Sequence, residues 1–293
     1  MTEFELWMRS EIDAVESALN VWVPIEAPAD LGEAMRYSIL DGGKRIRPLL
    51  VLAAALAVGG VREWAMHAAC AVEIIHAYSL IHDDLPCMDN DLLRRGKPTA
   101  HVRFGEATAM LAGDAMQALA FEVLTPPQGV PSDLQARWCA LLSRASGHAG
   151  MVGGQAIDLA SVGMKLSENQ LRQMHRLKTG ALLQASVIMG TECGSPSAAS
   201  LQALSDFGRA IGLAFQVVDD VLDVTQATGV LGKTAGKDVE ANKPTYVSVL
   251  GLDAALHYAR ELGGQAHAAL ARSGLDHIGH LKALADKIIQ RES

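Results

Sequence analysis

Two clusters of aspartates have the residue types and the spacing that could do chemistry in this chain. The first holds four aspartates within nine positions: Asp83, Asp84, Asp89 and Asp91. The second holds Asp219, Asp220 and Asp223. Crowded carboxylates repel one another and resist desolvation, so they lie either in solvent or around a cation. Magnesium is usually held by one or two carboxylates together with substrate phosphates. One cluster alone could be a charged turn after a core helix, but two predict a single Mg²⁺–diphosphate site built from two sides.

Helix geometry predicts how these carboxylates are presented. Residues three and four apart share one face of a helix, so Asp219 and Asp223 should point the same way. Pro86 lacks an N–H and disfavours a helical residue before it, so the helix that leads into the first cluster should end near Leu85. Asp89 could then fold back toward Asp83.

Cations accompany both clusters. Residues 42–48 place Lys44, Arg45 and Arg47 at the start of a helix, where anions are favoured. Arg94 and Arg95 follow the first cluster. Such groups can be ordinary ion-paired or solvated side chains, but guanidinium groups also bind phosphate oxygens in bidentate fashion. A glycine-rich loop after the second cluster is either a solvated connection or a lid over phosphates, and it carries three lysines: Lys233, Lys237 and Lys243.

Three further polar residues lie in apolar helical segments and could face the same cavity. His76 lies two helical turns before Asp83, although a histidine on such a face is usually a structural residue. Lys178 interrupts an apolar helix, where its ammonium either reaches solvent or enters a polar cavity. Gln216 lies one turn before Asp220.

Composition limits the class of protein. The chain has 293 residues, 49% of them hydrophobic, and a net charge of −8. This charge argues against a general nucleic-acid or membrane-surface binder, so an anionic ligand needs a local basic patch. The four cysteines are scattered without zinc or disulfide spacing, and the first ten residues do not resemble a signal peptide. The longest apolar stretch, residues 48–60, is too short for a membrane span. We expect a cytoplasmic protein without membrane insertion.

Nearly every segment has a helical pattern, and no convincing strand pattern is present. Aromatic residues make up only 4% of the chain. The predicted helices are 3–21, 31–40, 48–58, 63–80, 106–124, 132–151, 167–189, 200–225, 253–272 and 276–290. No internal repeat or long linker interrupts them. The sequence therefore predicts one all-α domain over residues 1–293, folded as a helical bundle.

Taken together, these motifs resemble the trans-type (all-E) polyprenyl diphosphate synthases, and among them the bacterial farnesyl diphosphate synthases. The resemblance covers about residues 30–291, and its motifs occur in the family's order. They are residues 42–48, 83–89, 94–96, 153–155, 178–179, 215–223, 231–233 and 242–246.

This resemblance implies a homodimer of helical subunits of the isoprenoid synthase type, each around a deep central cavity that binds three Mg²⁺ ions. It implies metal binding by Asp83, Asp89 and Asp219, with support from Asp84 and Asp223. The allylic diphosphate would be bound by Arg94, Lys178, Lys233 and Lys243. Isopentenyl diphosphate would be bound by Lys44, Arg47, His76 and Arg95. Thr179 and Gln216 would line the region where positive charge develops, so that Lys178, Thr179, Gln216 and Arg94 form the catalytic group.

Product length depends on the helix before the first cluster. In synthases that the chain resembles, bulky residues four or five positions before the first Asp-rich motif limit chain growth, and these positions hold Ser79 and Tyr78. Tyr78 lies about 7–8 Å along the helix from Asp83, which favours a fifteen-carbon farnesyl product.

Other products and roles remain open. Residues 87–91 resemble geranylgeranyl synthases instead, so geranylgeranyl and geranyl products are alternatives. A non-catalytic partner subunit is disfavoured because both motifs keep their leading aspartate pairs. Leu92 replaces an aspartate that is usual in the family. We expect little effect, because that position is not among the primary metal ligands, although metal affinity could be weaker.

Overall fold

The computed structural model describes residues 1–40, 42–225 and 244–291. Within these ranges the chain is built from helices and one two-stranded hairpin, in which β1 (Leu93–Arg94) pairs antiparallel with β2 (Lys97–Pro98). The all-α prediction is confirmed. The helices are α1 Glu3–Trp22, α2 Leu31–Ile39, α3 Ile46–Ala57, α4 Arg62–Asp83, α5 Ala100–Phe104, α6 Glu106–Leu124, α7 Ser132–Ser146, α8 Met151–Ala160, α9 Glu168–His175, α10 Ala181–Thr191, α11 Ala198–Thr225, α12 Tyr246–Leu250, α13 Leu252–Arg272 and α14 Gly279–Ile289.

Two of the predicted helices differ in the structure. The helix predicted over residues 132–151 ends at Ser146, because the chain leaves helical geometry between Gly147 and Gly150, and α8 then begins at Met151. The helix predicted over residues 167–189 contains a π-helical turn, Arg176–Gly180, between α9 and α10. The extra residue of a π-helical turn shifts the helix face, and such turns are frequent at functional sites.

The hairpin, α8 and the short helices α5 and α12 are absent from the sequence-based prediction. The loop between β1 and β2 consists of Arg95 and Gly96, both with positive φ (53° and 74°). A two-residue turn with positive φ at both positions matches the twist of paired strands. The hairpin thus holds Arg94 against Asp84 at the end of α4 and Arg95 against the carbonyl of Gly42.

Helix α4 lies at the centre of the fold. It is apolar around most of its circumference and packs against α3 and α6, while α10 packs against α3 and α11, and α11 against α13. By length and composition α4 could cross a membrane, but 72% of its apolar window is buried inside the protein, as expected for a core helix. Helices α4 and α11 are each fixed by packing along their length, so their ends hold the two aspartate clusters in defined positions.

One of the cations near the start of α3 belongs to this packing. Arg45 is 2% exposed and adopts a left-handed conformation, with φ 47°. Its guanidinium donates to Glu73 at 2.7 Å and to Glu16, and also to the carbonyl of Ile39. Arg45 therefore joins α1, α2 and α4 at the start of α3 and does not face a ligand.

Candidate active site

A cavity of about 400 Å³ lies between α4, α8, the π-helical turn and α11. The structure places both aspartate clusters on its walls. The sequence-predicted site residues that line it are Arg47, His76, Asp83, Asp89, Arg94, Lys178, Thr179, Gln216, Asp219 and Asp223. Asp91, Asp158, His175 and Asp220 line it as well.

Other predicted residues lie nearby. Asp84 and Arg95 line a neighbouring cavity of about 50 Å³. Lys44 is exposed, whereas Tyr78 and Ser79 are buried (both 4% exposed). Leu92 is 62% exposed, and it is not among the described residues that line the larger cavity. Lys233, Lys237 and Lys243 lie outside the described residues.

The first aspartate cluster has the folded-back geometry that Pro86 predicts. Helix α4 ends at Asp83, and the N–H of Asp89 donates to the carbonyl of Asp83 at 2.9 Å. The Asp83 carboxylate accepts a hydrogen bond from Gln155 Nε2 at 2.9 Å. Burial raises the pKa of Asp83, because desolvation penalises the charged carboxylate. The fold thus holds a buried anion that a metal ion or cationic group can stabilise.

Asp84 is turned away from this cavity toward Arg94. The guanidinium donates to both carboxylate oxygens, from Nε at 2.8 Å and from Nη2 at 2.6 Å. This bidentate pair is strong and directional. Burial raises the pKa of Asp84 even though Arg94 opposes that shift. Asp84 therefore positions Arg94 at the cavity wall.

Lys178 reaches the cavity from the π-helical turn and is held by Asp158, a residue that sequence reasoning missed. Lys178 Nζ donates to Asp158 Oδ2 at 2.6 Å. Burial acts to lower the pKa of Lys178, but the Asp83 and Asp158 carboxylates raise it above its ordinary value. A Cβ on Gly154 would collide with the backbone of Lys178, so glycine allows α8 to approach the turn. The spacing of Gln155 and Asp158, three residues apart on α8, was the available signal.

A chain of hydrogen bonds crosses the opposite wall. Thr179 Oγ1 donates to Gln216 Oε1 at 2.7 Å, and Gln216 Nε2 donates to Asp220 Oδ1 at 2.8 Å. The backbone N–H of Tyr246 donates to Asp220 Oδ2 at 2.7 Å. His175 lies 3.9 Å from the same oxygen, and burial lowers its pKa to about 4.

Sequence reasoning also missed Arg291, near the end of the chain. Its Nη2 donates to Asp219 Oδ1 at 2.6 Å, and its guanidinium lies 4.8 Å above the ring of Phe215. No helical periodicity or motif spacing links residue 291 to the second aspartate cluster. Its charge therefore has to be considered with those of the predicted ligands.

The residues predicted for a second diphosphate lie beside the first cluster. Burial lowers the pKa of Arg47 to about 10, so it stays charged at neutral pH. Burial, followed by the charges of Arg47 and Arg95, lowers the pKa of His76 well below its ordinary value. Arg95 Nη1 donates to the carbonyl of Gly42 at 2.6 Å, which ties the hairpin to the loop before α3. These contacts supply a local basic patch in an acidic protein.

The donor set fits magnesium shared with a ligand. In the part of the chain that the structure describes, no three His, Cys, Asp or Glu side chains form a preformed cage. Instead, Asp83 and Asp89 lie on one wall and Asp219 and Asp223 on the other. Magnesium prefers hard oxygen donors and usually combines one or two carboxylates with substrate phosphates. These residues therefore fit Mg²⁺ that is completed by a bound diphosphate.

Comparisons with known proteins agree with this geometry. The sequence model of the family Polyprenyl synthetase matches residues 28–272. The chain is 46% identical to the Heterodimeric geranylgeranyl pyrophosphate synthase large subunit 1, chloroplastic, of Arabidopsis thaliana, over 99% of this chain and 80% of that protein.

Two solved structures share the fold along nearly their whole length. An FPP/GFPP synthase from Zymomonas mobilis has a TM-score of 0.86 at 39% identity and covers 98% of each chain. A geranyltransferase from Helicobacter pylori, complexed with magnesium and isoprenyl diphosphate, has a TM-score of 0.89 at 34% identity and covers 99% of each chain.

Proposed function

The chain belongs to the polyprenyl synthetase family of prenyltransferases, and we propose that it condenses isopentenyl diphosphate with dimethylallyl and geranyl diphosphate to give (2E,6E)-farnesyl diphosphate. The coarse activity follows from the family. The product length is our inference, because relatives with geranylgeranyl and with farnesyl names both resemble the chain.

Ionisation of the allylic substrate is the first task of the site. Bound Mg²⁺ would neutralise the diphosphate as a Lewis acid, held by Asp83 and Asp89 on one wall and Asp219 on the other. Lys178 and Arg94 stand at the same cavity and can bind the departing diphosphate oxygens. As the carbon–oxygen bond breaks, its electron pair leaves with the diphosphate. Fixed cations placed where negative charge develops stabilise that transition state.

The second substrate then attacks the allylic cation. Arg47, Lys44 and Arg95 would bind the diphosphate of isopentenyl diphosphate, next to neutral His76. A carbon–carbon bond forms between its terminal double-bond carbon and C1 of the allylic cation. This step leaves a positive charge on C3 of the isopentenyl unit. A proton from C2 then passes to an oxygen of the released diphosphate as the C2–C3 double bond forms, so no protein base is needed. Thr179 and Gln216 present oxygen atoms to the positive charge, and the enclosed cavity excludes water.

One observation supports the farnesyl product: the burial of Tyr78. Its side chain is 4% exposed in the core between α4 and α6, and its ring meets His82 edge-on at 5.7 Å. His82 is in turn held on the carbonyl of Met110 at 3.0 Å. A ring fixed in this way, five residues before Asp83, would obstruct a chain growing along α4. Ser79 is too small to do so, and its hydroxyl is bonded to the carbonyl of His76.

A product assay tests this proposal. The purified protein is given Mg²⁺, radiolabelled isopentenyl diphosphate and either dimethylallyl or geranyl diphosphate, and the dephosphorylated products are sized. We expect a fifteen-carbon alcohol from both primers. Tyr78→Ala should extend the product to twenty carbons or more, whereas the control Tyr78→Phe keeps the ring and should keep the fifteen-carbon product.

Two other outcomes of the product assay would contradict parts of this proposal. A twenty-carbon product from the wild-type protein would keep the reaction and overturn the role of Tyr78. A folded protein with no Mg²⁺-dependent product would instead favour a non-catalytic partner subunit. Light scattering of the same sample tests the homodimer, and calorimetric titration tests the number of Mg²⁺ ions; both stay predictions. Microscopy of a fluorescently tagged chain in its native cell would test the cytoplasmic localisation that we propose.

A further inference from the structure

Asp220 belongs to the second aspartate cluster, but its contacts differ from those expected of a metal ligand. It is 2% exposed. One carboxylate oxygen accepts the backbone N–H of Tyr246 at 2.7 Å, and the other accepts Gln216 Nε2 at 2.8 Å. Gln216 in turn accepts the Thr179 hydroxyl at 2.7 Å. Asp220 thus lies inside a line of hydrogen bonds that runs from the start of α12 to the cavity.

The direction of every bond in this line is fixed from one end. A backbone N–H can only donate, and an ionised carboxylate can only accept. Asp220 must therefore receive the NH₂ group of Gln216. The amide oxygen of Gln216 then faces Thr179, so the Thr179 hydroxyl must donate to it. The hydroxyl proton is used in this bond, and the oxygen lone pairs of Thr179 remain for the cavity that it lines.

We infer that Asp220 is a positioning residue which, anchored by the Tyr246 N–H, sets the polarity of Gln216 and Thr179 toward the developing allylic cation. The inference rests on the proposed function, since it assigns a charge-stabilising role to that reaction. Oriented dipoles act strongly on charge that develops in a water-excluded site. The contribution of Asp220 is an orientation, which reaches the substrate only through Gln216 and Thr179.

Replacing Asp220 by asparagine gives a nearly isosteric test. The Tyr246 N–H still requires an acceptor, so it selects the asparagine oxygen. The asparagine NH₂ then points at Gln216, and Gln216 must turn over to accept it. The NH₂ of Gln216 now donates to Thr179, whose hydroxyl proton swings into the cavity. Asp220→Asn thus inverts the dipoles that face the cation without removing an atom of any catalytic side chain.

The experiment separates binding from charge stabilisation. The kcat for condensation of geranyl and isopentenyl diphosphates is measured, together with the calorimetric Kd of geranyl thiolodiphosphate in Mg²⁺. A third readout is the cation preference, measured in the presence of inorganic diphosphate. It is the ratio of the affinity for an ammonium analogue of the allylic cation to the affinity for the neutral carbon isostere of that analogue. For Asp220→Asn we expect kcat to fall about 100-fold, the thiolodiphosphate Kd to stay unchanged and the preference for the cation to be lost.

Asp219→Asn is the matched control, because the neighbouring residue is a predicted metal ligand. It should weaken thiolodiphosphate binding and leave the cation preference of the remaining complex intact. Thr179→Val removes the hydroxyl directly and should lose the cation preference, whereas Thr179→Ser should retain it. In the Thr179→Val background, Asp220→Asn should have a smaller effect than in the wild-type protein, since only Gln216 is then left to respond.

Three results would overturn the inference: weakened Mg²⁺-dependent binding in Asp220→Asn like that in Asp219→Asn, an unchanged cation preference, or additive effects with Thr179→Val. If Asp220→Asn fails to fold, comparison of Thr179→Val with Thr179→Ser still decides whether the hydroxyl carries the cation preference. Failure of the proposed function is separate, since it would appear in the wild-type protein as the absence of condensation.

Discussion

Gly212 of α11 sets how closely this helix approaches the π-helical turn, and its replacement by alanine tests whether that contact positions the catalytic groups. A Cβ on Gly212 would lie 2.8 Å from Gly180 Cα and 3.1 Å from Gly180 O. Ordinary van der Waals contact begins at 3.4 Å, so the turn and α11 must separate by about 0.6 Å. Both contacts are backbone atoms, so no flexible side chain can give way.

The neighbouring hydrogen bond converts this separation into an effect on catalysis. Thr179 precedes Gly180, and Gln216 lies one turn after Gly212, so the 2.7 Å bond between them would stretch to about 3.3 Å. Weakening of this hydrogen bond by up to about 1.5 kcal/mol predicts a kcat for Gly212→Ala that is lower by up to about tenfold. Overpacking should also lower the free energy of unfolding by about 1–3 kcal/mol, less the gain in helix propensity.

The assays are steady-state condensation with geranyl diphosphate and thermal unfolding followed by circular dichroism. Gly264 on α13 provides the matched control, because no atom lies within 4 Å of its would-be Cβ. Gly264→Ala should leave kcat unchanged and raise stability by up to about 1 kcal/mol. A Gly212→Ala variant with wild-type kcat and melting temperature would refute the reasoning, as would equal losses in both variants.

Three further predictions concern charged groups. Glu73→Gln removes a charged partner of buried Arg45 and should lower the free energy of unfolding by about 3 kcal/mol in urea titrations. The control is Arg62→Gln, because the Arg62 side chain is half-exposed, and it should lower the free energy of unfolding by less than about 1 kcal/mol. Burial lowers the pKa of His175 to about 4 from 6.5, so the neutral ring stabilises the fold above pH 6.5. As the pH falls toward 4, the free energy of unfolding of the wild-type protein should fall by about 3 kcal/mol. Urea titrations across this pH range should show a smaller fall for His175→Leu. Arg291→Gln removes the guanidinium bonded to Asp219 and should lower the Mg²⁺ concentration needed to bind geranyl thiolodiphosphate in calorimetry; an unchanged requirement would contradict competition at Asp219.

Features that depend on neighbouring residues could be predicted from the sequence. Apolar periodicity predicts the helices that lead into both aspartate clusters, since a helix forms from contacts within one or two turns. Pro86 predicts the end of α4 and the return of Asp89 to Asp83, and the N–H of Asp89 indeed bonds to the carbonyl of Asp83. The two glycines near the end of α7 were a visible signal for a break, but the continuous pattern around them favoured one helix.

Which charges meet was decided by the tertiary structure. Arg45 and Arg47 are two residues apart in the same basic segment, yet Arg45 is buried against Glu73 while Arg47 lines the cavity. The two side chains point in opposite directions at the start of α3. Only the packing of α1 and α4 shows which of these directions faces the core. The sequence alone could not distinguish a structural cation from a ligand-binding one.

The sequence by itself determined the all-helical class, the family and the two carboxylate clusters, because each depends on local spacing and residue type. Only the tertiary structure brought together Lys178 with Asp158, Asp220 with the N–H of Tyr246, and Asp219 with Arg291. These partners lie 20, 26 and 72 residues apart. Their meeting depends on close helix packing, including the approach that Gly154 and Gly212 permit, and helical periodicity contains no information about it.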